Sequence, residues 1–184
     1  MSIVAFVFFL FAASPAFAGG FGPWTFGMSA DQIRSVKAQG PYRAFSNGGL
    51  ETYNAEFGGK AQNAQFYFKD GHLWRIAIRV YEGVDLTQAS QSWAYTYKAL
   101  VSLYGRIVTP NLAGETLQAL ADSAKSVVAG GGKAQMAPVS QPNAQFVFSS
   151  FNSIAQEALK TNMVQLNYDE PSPQFRRSRH KQLR

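Results

Sequence analysis

The sequence predicts an α+β fold, an antiparallel β-meander sheet with helices packed on one face, and three observations predict it. The first is the stretch 63–81, NAQFYFKDGHLWRIAIRVY, which reads as two strands joined at Asp70-Gly71. Asp-Gly is a strong hairpin signal, because Gly71 reaches positive φ without a Cβ clash and Asp70 tolerates the left-handed region. In its second strand Trp74, Ile76, Ile78 and Val80 alternate with Arg75, Ala77 and Arg79, an apolar face against a wet one. The second observation is an apolar stripe at helical spacing: Leu86, Ala89, Trp93, Tyr97, Leu100 and Tyr104, opened by Asp85 and closed by Gly105. The third is an internal echo, with Asn143-Ala144-Gln145-Phe146 repeating Asn63-Ala64-Gln65-Phe66, and Gly132-Lys133-Ala134-Gln135 repeating Gly59-Lys60-Ala61-Gln62. It suggests tandem α-βββ units, about 24–84 and 110–170, joined by the helix 85–104.

Each element follows in chain order. Residues 1–18 read as a signal peptide: an apolar run over 3–13 of less than the roughly 20 residues a membrane span needs, then Ser14-Pro15 and the cleavage signal Ala16-Phe17-Ala18. No Lys or Arg precedes the run, so an uncleaved N-terminal membrane anchor is the alternative. A single α+β domain is expected over 19–170. Ser29 followed by Gln32 forms a capping box, with Met28 and Ile33 as a hydrophobic staple, and Gly40-Pro41 closes that helix. A strand is expected at 51–57, with Gly58-Gly59 as the turn into the central hairpin. After Pro110 a third helix spans about 115–128, with Leu117, Leu120, Ala124 and Val127 inward. Gly130-Gly131-Gly132 stops it. Strands follow at about 133–139, 145–151 and 163–168, with 153–160 as a helical or irregular connection.

The predicted core comprises Phe66, Phe68, Trp74, Ile76, Ile78, Val80, Trp93, Tyr97 and Leu100. With 46% apolar residues among 184, and no cysteine, packing alone must hold it. On this reading Trp74→Ala costs roughly 3 to 5 kcal/mol and Arg79→Ala is near neutral.

The block PWTFGMSADQIRSVKAQGPY, followed by a meander containing FYFKDGHLWRI, resembles the SmpA/OmlA-like envelope fold and its relative, the β-lactamase inhibitor protein fold. The resemblance covers about 24–81, with a fainter echo in the second half. It implies one or two short helices against an antiparallel meander. It also implies an exported module that works by binding other proteins.

Motifs for chemistry are sparse. His72 sits on the hairpin and His180 in the tail, neither beside a carboxylate that would make a triad or a metal set. No catalytic residue, metal ligand or cofactor is assigned, and the protein is expected not to be an enzyme. Were it a hydrolase, Asp70, His72 and the pair Asp169-Glu170 would come first. Of the formal +6, Arg176, Arg177, Arg179, Lys181 and Arg184 supply five charges, in a basic tail over 171–184 that is expected to be disordered. The tail offers a salt-sensitive contact with anionic lipid or lipopolysaccharide, at on the order of 1 kcal/mol per basic residue. An exported address argues against nucleic acid. The expected function is thus an envelope protein-interaction module, periplasmic or secreted after cleavage near Ala18. A carrier enclosing a small apolar ligand between helix and sheet is the alternative.

Overall fold

In the computed structural model, residues 19–156 and 159–171 are described. A short N-terminal hairpin, β1 (Gly20–Phe21) and β2 (Trp24–Thr25), leads into α1 (Ala30–Ser35) and then β3 (Arg43–Ala44). The central meander is β4 (Leu50–Phe57), β5 (Lys60–Lys69) and β6 (His72–Gly83). Next come α2 (Leu86–Tyr104), β7 (Ile107–Val108) and α3 (Leu117–Ala129), and the chain closes with β8 (Lys133–Pro138), β9 (Phe146–Gln156) and β10 (Leu159–Asp169). Apart from β1 and β2, which pair with each other, the strands form one antiparallel sheet in the order β3-β4-β5-β6-β10-β9-β8-β7. Each half is a meander, and the halves meet through their last strands, β6 and β10, which run antiparallel from Gly83↔Asn162 to Arg75↔Asp169.

Local chemistry accounts for the element ends. Ser29 accepts from Gln32 N while Gln32 Oε1 accepts from Ser29 N at 2.8 Å, the reciprocal capping box. The Asp85 carboxylate accepts from Thr87 N and Gln88 N, satisfying two donors at the start of α2. Asp70 (φ 52°) and Gly71 (φ 78°) make the turn of the β5–β6 hairpin in the left-handed region.

All three helices feed one apolar cluster on one side of the sheet. Ile33 of α1, Ala89, Trp93 and Leu100 of α2, and Leu120, Ala124 and Val128 of α3 join Leu50, Phe66, Ile76, Ile78, Phe151, Val164, Leu166 and Tyr168. Helix α2 lies over β6 and β10, and α3 packs against α2, β8 and β9. The space between α2 and the sheet is filled by Trp93, Leu100, Ile76, Ile78 and Leu166, each without exposed surface.

Several expectations need correction. Trp74 is half-buried and lies outside the core cluster, because β6 bulges there: Tyr67 pairs with Arg75 and Phe68 with Leu73, leaving Trp74 as the extra residue. The bulge follows from competing backbone partners. Leu73 is bonded to the loop after β2 (Leu73 N to Met28 O, Gly27 N to Leu73 O), whereas the Trp74 carbonyl accepts from Glu170 N. Leu73 takes the inward place that alternation gave to Trp74. Trp74→Ala is therefore expected to cost only about 1 kcal/mol in a denaturant melt, and a loss above about 3 kcal/mol would return Trp74 to the core. Phe68, Val80 and Tyr97 lie at the rim of the core, half-buried but packed against it.

Helix α3 turns differently from its predicted stripe. Leu120, Ala121, Ala124 and Val128 are buried, while Leu117 is 40% exposed and Val127 only half-buried. Within the connection expected at 153–160, residues 153–156 and 159–160 are instead strand: β9 and β10 pair through Leu159↔Gln156 and Lys160↔Ala155. The internal echo does not coincide with the topology either. Phe66 points into the core while Phe146 lies across from Asp169 beside Phe148, and Gly-Lys-Ala-Gln opens β5 in one half but β8 in the other. The hairpin β1–β2 had no place in the predicted meander. Its Trp24 is 1% exposed and meets Phe66 edge-on at 4.8 Å.

Candidate functional site: the helix-free sheet face

Alternation puts a second set of side chains on the face opposite the helices, and strand register sorts them into rows. One row is Glu51, Gln65, Ala77, Asn167 and Phe148, from β4, β5, β6, β10 and β9. The next is Asn63, Arg79, Gln165, Ser150 and Gln135, which reaches β8. The row at the other end is Tyr67, Arg75, Asp169 and Phe146. Among the described residues no helix packs on this face; Gln65, Ala77, Ser150 and Asn167 stand outside the apolar cluster yet are buried, whereas Glu51, Tyr67, Arg75, Arg79, Phe146 and Phe148 are half-buried.

Side-chain contacts fix the geometry. Arg75 forks onto Asp169 with Nε to Oδ1 at 2.7 Å and NH2 to Oδ2 at 2.6 Å, a bidentate pair across the β6–β10 seam. Its guanidinium also lies 4.5 Å from the centroid of the Trp74 ring. The hydrogen bond to Asp169 raises the Arg75 pKa further, against the effect of burial. Tyr67 donates to Gln65 Oε1 at 2.8 Å and meets Phe45 edge-on at 5.4 Å. Burial pushes the Tyr67 phenol up, with Arg79 and Arg75 pulling the other way. At the far end Arg79 donates to Glu82 at 2.6 Å and to Gln65 at 3.3 Å. Phe146 and Phe148 lie 5.5 Å apart.

The residues singled out from sequence fall in different places. Asp169 belongs to the seam pair, whereas exposed Glu170 continues the strand through its backbone. His72 is exposed on the hairpin, its Nδ1 donating to Gly27 O at 3.1 Å. Asp70 forms the turn. His180 and the basic residues Arg176, Arg177, Arg179, Lys181 and Arg184 lie outside the described residues, as do residues 1–18. Among the described residues no cluster of His, Cys, Asp and Glu could hold a metal ion, and no helix is long and apolar enough to cross a membrane. Gln65, Tyr67, Asn63 and Glu51 were not singled out from sequence. Their signal was the polar half of each strand's alternation, which says which face a residue takes but not which neighbours it meets.

Fold and face together define the class: an α+β protein whose antiparallel sheet carries its described helices on one side and rows of polar and aromatic side chains on the other, with Gln65, Ala77, Ser150 and Asn167 buried at their centre. Compared with protein-family models, curated proteins and solved structures, the chain matches none.

Proposed function

We propose that this protein is a non-catalytic, exported interaction module of the cell envelope, whose helix-free sheet face binds a partner protein. The observation that supports it is the Trp74-Arg75-Asp169 assembly beside Tyr67 and Phe146. Aromatic rings and arginine are the side chains that interfaces concentrate at their energetic centres. Here the arginine is held in one geometry before any partner arrives, which reduces the ordering cost of binding. The resemblance of 24–81 to envelope-protein meanders supports the same reading, as does the signal-like segment at 1–18.

A photo-crosslinking amino acid at Trp74 tests it in cells. One discrete protein adduct is expected from Trp74 and none from Gln118, on exposed α3 surface; equal labelling at both positions would remove the sheet face as the contact. Intact mass should begin at Gly19. In the same reading the basic tail adds a contact with an anionic surface. Deleting residues 175–184 should abolish salt-sensitive flotation with phosphatidylglycerol vesicles and leave the melting temperature unchanged. Unaltered flotation would show that the tail makes no such contact.

A further inference from the structure

We propose that a pocket at the Arg79 end of the sheet face binds a neutral glycan, with one sugar unit seated between Glu51, Tyr53, Asn63, Gln65, Arg79 and Glu82. Together with Val80 and Tyr81 these side chains line an open cleft of about 350 Å³. That is within the usual range for a small-molecule site. The strands bring them together by register, Glu51 opposite Gln65 and Asn63 opposite Arg79.

The chemistry of the lining selects the ligand. Two carboxylates and one guanidinium leave no uncompensated positive charge to attract phosphate or carboxylate groups. A cation fares no better, since Arg79 stands in the pocket and the Glu51 carboxylate already accepts from Tyr53 OH at 3.3 Å and Asn63 Nδ2 at 3.2 Å. An apolar ligand would take these polar groups out of water and offer nothing to the donors and acceptors they have left over. A hydroxyl both donates and accepts, so a polyhydroxylated ring can give protons to the carboxylates and take them from the amides and the guanidinium.

The lining is also interlocked. Gln65 is 8% exposed, and its Oε1 is held by Tyr67 and Arg79, so the pocket keeps its shape without the ligand. Tyr53 at the rim is 55% exposed and offers a flat aromatic surface to the C–H face of a sugar. From Arg79 the row continues to Gln165 on the next strand, while Ser150 beyond it is buried, so the site ends after about one sugar unit. This pocket does not depend on protein docking at Trp74, since Arg79 lies four residues beyond Arg75 along β6, roughly 13 Å away.

Isothermal titration of the full chain with cellotetraose, chitotetraose and maltotetraose tests the proposal. Binding of at least one is expected, with a Kd of roughly 0.1 to 1 mM, weakened about tenfold or more by Tyr53→Ala and by Asn63→Ala. Tyr53→Phe, which keeps the ring, should retain most of the affinity, and Trp74→Ala should leave it unchanged. Failure to bind any of the three sugars would overturn the proposal, as would binding that survives both alanine substitutions. Loss of binding on Trp74→Ala with no effect of Tyr53→Ala would also overturn it, by moving the contact to the other end of the face. The crosslinking result at Trp74 stands or falls separately.

Discussion

Trp93→Ala is expected to destabilise the protein by roughly 3 to 5 kcal/mol, several times the loss expected at Trp74. Trp93 has no exposed surface, and it sits midway along α2 where that helix crosses β6 and β10. Its ring stacks near Tyr97 at 6.5 Å, and the surrounding strand residues are themselves fully buried, so little can move in to close the hole. For a chain of this size the melting temperature should fall by roughly 10 °C. Trp93→Phe should cost much less than the alanine change. It keeps an aromatic ring and removes an indole N–H that is buried without a partner among the described residues. Equal losses in the two variants would show that a phenyl ring cannot stand in for the indole at this place in the core.

The second large effect is an alkaline limit to stability. Burial pushes the Tyr168 phenol far up from its ordinary value, and its interaction with Tyr104 adds to the rise. Tyr104, Tyr67 and Tyr42 are raised as well, each chiefly by burial. A raised acid holds its proton in the folded state after the unfolded chain has begun to lose it. The stability is therefore complete below the unfolded value near pH 10 and lost as the pH rises above it, at about 1.4 kcal/mol per pH unit for Tyr168 alone. Denaturant melts between pH 9 and 12 should show that fall. Tyr168→Phe should lower the plateau, through loss of the bond to Tyr104, yet flatten the alkaline slope. An unchanged slope in that variant would assign the limit to other groups.

How much of this was legible in the sequence depended on whether the signal was local. The Asp70-Gly71 turn, the Ser29/Gln32 capping box and the span of α2 from Asp85 to Gly105 are fixed by residues within a few positions of each other, and all are present. Alternation placed Ile76 and Ile78 inward for the same reason. It failed at Trp74, because the bulge there is imposed by the loop after β2 and by Glu170, both distant in sequence. The β9–β10 hairpin was missed past Phe151 because its outer positions, Asn152 and Ile154 against Met163 and Thr161, mix polar with apolar side chains and break a clean two-residue period. The sheet-face site was the least visible part. Glu51, Asn63, Arg79, Gln165 and Ser150 come from five strands, and only their register makes them neighbours.

The β6–β10 seam has one further consequence. Two meanders joined antiparallel through the same edge strand have the form of a twofold-symmetric dimer. Carrying both on one polypeptide turns an association between molecules into a folding step within one, at an effective concentration set by α2 and the segments that follow it rather than by how much protein is present. The two sides are also released from identity, so Arg75 on one strand can face Asp169 on the other as unlike partners. Forming the seam thus adds no dilution sensitivity to folding, and a low protein concentration would not loosen it.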